Sequence, residues 1–414
     1  MDYRIRIVFT FLLLLVITSL SELKAQEQNK YRFTPAPDIW YNDVDGIRVG
    51  VRVLGEMEDS FKDGPHRLDA GFWIHTWLPA VPVSYYISFI EPIPAISSYG
   101  NEGSIQLISS YRTGYTQQKV SFNKRWQSGF DELRYSELKA SFSQEKLTDI
   151  EYRPFQQLWQ TEWKSLLELV YLKSSINSLG QFFAHTELAQ NINDNSSSFT
   201  VLKVEAFQKV DLGQHAALRL RGFFGHATEK TAPEYLFSHS FRQPIGWLNN
   251  GVSRTKGTIP TNWLESGLVQ FAGGGNLRGY LEQDSKLLKA GLNPSYNTIW
   301  VVNTEFEFPN PINSAINNIS IVGELVEFRA YGFFDIGKGT KDYPAGTVDP
   351  LDNVFALADA GFGSQFSINI PDYLGKDRGI FIRYDVPFWI SKPETNSSNF
   401  SYRQVIGIGA IFSF

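Results

Sequence analysis

The run Gly273-Gly274-Gly275-Asn276-Leu277-Arg278-Gly279-Tyr280 places one guanidinium between glycines and a tyrosine. An arginine offers five donors in a fixed fork, and a carboxylate can take two of them at once. Glycines let the backbone adopt angles and approaches that side chains forbid. Three chemistries fit: an arginine anchored inside an enclosed space, an exposed loop arginine, or a glycine cradle for phosphate. The last lacks the Lys-Ser/Thr ending of a P-loop and the helix that should follow. No catalytic set accompanies the run. The six histidines are scattered, and neither a His-Glu-x-x-His zinc pair nor a Gly-x-Ser-x-Gly elbow occurs. The expectation is therefore no enzyme, no metal and no cofactor.

The elements around the run read as strands. Phe328, Ala330, Gly332, Phe334 and Ile336 alternate with Glu327, Arg329, Tyr331, Phe333 and Asp335. Trp300, Val302, Thr304, Phe306 and Phe308 alternate with Asn303, Glu305 and Glu307. Ile47, Val49, Val51 and Val53 alternate with Arg48 and Arg52, and Ile380, Ile382, Tyr384 and Val386 with Arg383 and Asp385. The period is two, and charge keeps to one parity within each strand. That is what a wall between lipid and a polar lumen requires. A helical stripe at i, i+3, i+4, i+7 is missing from these segments.

The pattern predicts sixteen strands: 46–57, 67–78, 83–92, 104–112, 115–124, 132–143, 160–173, 180–190, 198–210, 215–226, 263–271, 297–308, 326–337, 355–370, 378–390 and 402–414. An even count suits a bacterial barrel. The expected fold is all-β: a 16-stranded antiparallel transmembrane barrel with a loop folded into its lumen. One domain is expected, 46–414, preceded by a short periplasmic segment at 26–45.

Residues 1–25 read as a signal peptide, with Arg4 and Arg6 before the apolar stretch from Ile7 to Leu20 and a cut expected after Ala25. That stretch is short for a membrane-spanning helix, which needs about 18 residues or more. There is no cysteine, so no disulfide and no lipidated thiol. The formal net charge of −5 excludes the strongly basic footprint of a nucleic-acid partner. Export, alternation and many aromatics together point to the bacterial outer membrane, with lipid as one partner.

Leu277-Arg278-Gly279-Tyr280 resembles the Arg-Gly-Tyr/Phe motif of the outer-membrane protein 85 superfamily, the assembly and two-partner-secretion barrels related to bacterial surface antigens. Asn303-Thr304-Glu305-Phe306-Glu307-Phe308-Pro309, Phe333-Phe334-Asp335-Ile336-Gly337 and Arg383-Tyr384-Asp385-Val386-Pro387 resemble strands of the same family. A narrower likeness, in Trp40 to Gly50 and Gln270 to Tyr280, is to barrels fused behind aminopeptidase-like domains in Bacteroidetes. The resemblance implies that Gly273, Gly274, Gly275, Leu277, Arg278, Gly279 and Tyr280 form the tip of the sixth extracellular loop, turned into the lumen. It implies that Arg278 meets an acidic wall residue. Asp335 is the expected partner, because it shares the charge-bearing parity of its strand, with Glu305 second. Gly409, Phe412 and Phe414 fit the family's C-terminal barrel signal, while Gly407 stands where a polar residue is usual.

The sequence carries neither the peptidase domain nor the periplasmic client-receiving modules of that family. The expected role is therefore protein insertion or export, or service as barrel subunit to a separately encoded periplasmic partner. Gly407 and Gly409 would weaken the seam between first and last strands. A passive solute channel plugged by its loop and a structural anchor of a larger complex stay open as alternatives.

Overall fold

The computed structural model describes residues 30–42, 46–58, 64–77, 82–98, 100–127, 129, 131, 133–193, 198–213, 216–247, 255–317, 319, 325–341, 356–371, 377–394 and 397–412. The expected signal peptide and Phe414 lie outside them. The strands are β1 (Tyr31–Asn42), β2 (Gly46–Met57), β3 (Arg67–His75), β4 (Val83–Pro92), β5 (Gly103–Arg112), β6 (Tyr115–Gln127), β7 (Tyr135–Leu147), β8 (Lys164–Asn177) and β9 (Gly180–Asn191). They continue as β10 (Phe199–Asp211), β11 (Ala217–Ala227), β12 (Val269–Phe271), β13 (Thr298–Phe308), β14 (Val326–Thr340), β15 (Leu357–Pro371), β16 (Asp377–Ile390) and β17 (Val405–Phe412). All belong to one 17-stranded sheet.

Sixteen of these, all but β12, form the wall as a single antiparallel meander in which each strand pairs with its neighbour in the chain. Among the described residues β1 and β17 form no ladder, which leaves an unpaired seam between these two strands there. β12 pairs instead with β17, in parallel, through Val269↔Ile406, Gln270↔Gly407 and Phe271↔Ile408. No helix among the described residues is long and apolar enough to cross a membrane.

Two expectations need correction. Residues 263–271 are not a wall strand. They comprise part of a short helix, Thr261–Glu265, then a turn at Gly267 (φ +67°) and β12, which lies inside the wall. The missing wall strand is β1, within the segment expected to be periplasmic. Lys30 accepts from Glu58 N, which puts the even-numbered residues in the hydrogen bonds with β2. Pro35 and Pro37 therefore turn their nitrogens to the open edge, where no β2 partner goes unmet. The count of sixteen stands, with its members changed.

The wall is polar inside and apolar outside. On β2, Ile47 (50%), Val49 (49%) and Val51 (51%) are exposed while Arg48 is 2% exposed. On β16, Ile380 and Ile382 are exposed and Arg383 and Asp385 are buried. A soluble sheet would reverse this, because burying a charge away from water costs several kcal/mol and covering an aliphatic side chain gains roughly 1.5–3 kcal/mol. The arrangement suits a wall whose outer solvent is hydrocarbon.

The long connection between β11 and β13 fills the lumen. Tyr235 and Lys256 donate to Glu145 of β7 at 2.6 and 2.7 Å. Gln157, after β7, donates to Leu288 O at 3.1 Å. The same connection reaches β14, where Gly339 N donates to His239 Nε2 at 3.0 Å. Two apolar clusters hold it. Leu277 and Tyr280 pack with Phe237, Ile299, Leu357 and Ile390; Phe271, Leu281 and Leu288 pack with Trp247, Leu264 and Val405.

Candidate functional site

The glycine run is shaped by what lies against it. Gly273 and Gly274 sit at φ +114° and +67°, and Asn276 at +57°, a region that asparagine tolerates better than most residues. A Cβ on Gly275 would lie 2.3 Å from His239 O, so the backbones are in direct contact there. Leu277 N donates to His239 O, and Arg221 Nη2 of β11 donates to Gly274 O at 2.7 Å. Asn303 of β13 accepts from Arg221 Nη1 at 2.7 Å and donates to Asn276 O at 3.3 Å. Residues 278–280 then form one 3-10 turn that runs directly into the helix Leu281–Lys289, so a helix does follow the run, contrary to the expectation; the P-loop ending of Lys-Ser/Thr is still missing from the sequence.

That turn delivers Arg278 into a ring of carboxylates. The side chain is 3% exposed. Its Nη2 donates to Glu305 Oε1 of β13 at 2.6 Å. Nε lies 3.2 Å from Asp335 Oδ2 of β14, and Nη1 lies 3.6 Å from Asp385 Oδ1 of β16. Cζ sits 4.1 Å from the centre of the Phe333 ring, so the cation also meets an aromatic face. Of the two acidic residues expected to meet Arg278, Glu305 makes the shorter contact and Asp335 the longer.

Asp385 is the partner that the sequence reading missed. It is fully buried, accepts from Tyr331 Oη at 2.7 Å and pairs with Arg383 Nε at 2.7 Å. Its parity in β16, shared with Arg383, was a usable signal. Asp359 of β15 is fully buried and lies directly across from Asp335 in the ladder. Nothing in the Leu357-Ala358-Asp359-Ala360-Gly361 sequence marked it. Ion pairs extend the network: Arg329 holds Glu305 at 3.0 Å and Glu307 at 2.9 Å, and Arg219 holds Glu307 at 3.1 Å.

The remaining motif residues lock the turn. A Cβ on Gly279 would lie 2.5 Å from Ile390 Cγ2 and 2.7 Å from Asp359 Cβ, so the chain passes between β15 and β16 where only glycine fits. Tyr280 Oη donates to Ala358 O at 3.3 Å, meets Ser391 Oγ at 3.1 Å and accepts from Lys392 N at 3.2 Å. Of the expected C-terminal signal, Gly409 and Phe412 belong to β17.

Two buried titratable groups of the loop stand close by. Asp284 is pushed up to about 6 by burial, although its Oδ2 accepts from Ser240 N and Oγ at 3.1 and 2.6 Å. Burial lowers His239 to about 4, in keeping with a neutral ring nitrogen that accepts from Gly339. Among the described residues no group of His, Asp and Glu is placed to hold a metal ion.

No family model and no curated protein match this chain. Solved structures do. BamA from Haemophilus ducreyi lacking POTRA domains 1–3 is similar at 13% identity and a TM-score of 0.47, covering 93% of this chain and 71% of that one. CdiB from Escherichia coli is similar at 8% identity and a TM-score of 0.40, and CdiB from Acinetobacter baumannii at 11% and 0.35; each covers 92% of this chain. This chain spans 62% and 59% of the two CdiB chains. At such TM-scores the likenesses leave the assignment to the geometry described above.

Proposed function

We propose that this chain is a bacterial outer-membrane barrel of the outer-membrane protein 85 type. It takes part in inserting or exporting polypeptides, alone or as the barrel subunit of a separately encoded periplasmic partner. The observation that carries the reading is the combination of an unpaired seam with a filled lumen. A passive channel needs the opposite: a wall closed on itself around an open water path. Here β1 and β17 form no ladder among the described residues, while the loop spans the lumen from Glu145 to Asp385. The Arg278 cluster supports the same reading, since it holds the loop where free diffusion through the pore would otherwise occur.

Purification from native membranes with mild crosslinking tests this, together with single-channel recording of the reconstituted barrel. The proposal expects co-purifying polypeptide or periplasmic partner and low, intermittent conductance. Large, steady, solute-selective conductance with no bound polypeptide would establish a plugged channel instead.

A further inference from the structure

The two strands that border the seam are each prevented from pairing with the other, by different means. On β1, the odd-numbered residues direct their backbone groups to the open edge, because the even-numbered ones face β2. Two consecutive odd positions are proline, Pro35 and Pro37. The open edge thus lacks two adjacent donors in its middle, and a second strand cannot form a continuous ladder there. Ile39 and Tyr41, beyond the prolines, are 70% and 61% exposed.

On β17, the edge that β16 does not use is occupied. Leu268 O accepts from Ile406 N at 2.7 Å, and β12 runs parallel to residues Ile406–Ile408. Side chains fix that pairing. Gln270 is fully buried; its Nε2 donates to Ser240 O at 2.8 Å, and its Oε1 accepts from Arg383 Nη2 at 2.6 Å. Arg383 crosses β17 to make this bond, and it can do so because residue 407 is glycine: a Cβ there would lie 2.6 Å from Arg383 Nε. Phe271 stacks on Trp263 with centroids 6.2 Å apart. Arg383 also pairs with Asp385, which faces Arg278.

We infer that β12 is an internal cap on the open edge of β17, that Pro35 and Pro37 keep β1 from displacing it, and that the Arg278 cluster holds the cap in place through Asp385, Arg383 and Gln270. At this level the free edge of β17 is covered by the loop and not by β1. It can be uncovered by withdrawing one three-residue strand, without melting a wall ladder. Gly407 gains a specific role: it is the space through which the cap is tethered.

The chain has no cysteine, so introduced pairs report cleanly. In intact membranes, Val269→Cys with Ile406→Cys tests the cap. Ile406→Cys with Ile39→Cys, or with Tyr41→Cys, tests direct wall closure. The cap pair should crosslink several-fold more than either wall pair. Replacing both prolines by valine should raise the wall pairs several-fold at the expense of the cap pair. Gln270→Leu should lower the cap pair while heat-modifiable mobility shows the barrel still folded. Wall pairs that crosslink as well as the cap pair in the unaltered background overturn the inference. So does a proline replacement that leaves both yields unchanged.

Discussion

Arg278 and Glu305 are joined through Nη2 and Oε1 at 2.6 Å, which leaves Oε2 to Arg329 at 3.0 Å. One carboxylate therefore links the loop cation to a wall cation. Asp385 likewise stands between Arg278 and Arg383, whereas Asp335 pairs with Arg278 alone among the described residues. Removing Glu305 leaves two arginines short of a partner, whereas removing Asp335 leaves one. Breaking a well-buried pair costs about 3–5 kcal/mol, less where water reaches it. Glu305→Gln should accordingly lower thermal stability of the purified barrel more than Asp335→Asn. Arg278→Ala combined with Glu305→Gln should cost clearly less than the two singles added together. Additive losses would show that the contact is not formed in the membrane.

Gly279→Ala addresses the turn without touching any charge. The methyl would meet Ile390 and Asp359 at 2.5 and 2.7 Å, too close to be absorbed by either strand. Overpacking of this kind costs about 1–3 kcal/mol. The variant should still form the barrel, with Tyr280 withdrawn from Ser391, and so should gain protease cleavage within residues 272–290. Unchanged cleavage would place the motif elsewhere.

The loop carries two titrations of opposite sign. Asp284 moves from 3.8 unfolded to about 6 folded, so the folded state holds more protons between those values and stability falls as pH rises through them. His239 moves from 6.5 unfolded to about 4 folded, so the unfolded state holds more protons there and stability rises with pH. Each shift corresponds to about 3 kcal/mol at most, and between pH 4 and 6 the two largely offset one another. Asp284→Asn should unmask a melting temperature that climbs with pH in that window, and His239→Gln one that declines. Parallel slopes for the two variants would refute the assignment.

Glu145 is a second test of how the loop is held. It takes Lys256 and Tyr235 together at 2.7 and 2.6 Å. Glu145→Gln keeps a partner for Tyr235 but removes the carboxylate bonded to the buried Lys256, leaving only the more distant charges of Glu168 and Glu187. The expected outcome is a loop detached from β7 alone, seen as faster hydrogen exchange at residues 255–259 with the Arg278 turn still protected.

The wall was legible where charge kept to one parity, as in β2, β14 and β16, because lipid on one side and ion pairs on the other leave no freedom to mix. β1 lay in the segment expected to be periplasmic; what lets Pro35 and Pro37 stand in a strand is an edge that meets no partner strand among the described residues, which no local pattern announces. Residues 263–271 were expected in the wall, yet Val269 and Phe271 belong with the cluster of Trp247 and Val405 inside, and Trp263 stacks on Phe271. In the site, Asp335 and Glu305 could be picked out from their strands. Asp359 could not, since its closeness to Gly279 arises only from the path of the loop between β15 and β16.

A tube slit along its length has almost no stiffness around its circumference: squeezed, it flattens or gapes. This wall is such a tube, and it keeps its section by internal struts. One runs from Glu145 through Lys256 and Tyr235; another runs from Asp335 and Asp385 through Arg278. The ion pairs thus carry a mechanical load, and the width of the slit is set across the lumen, at a distance from the strands that border it.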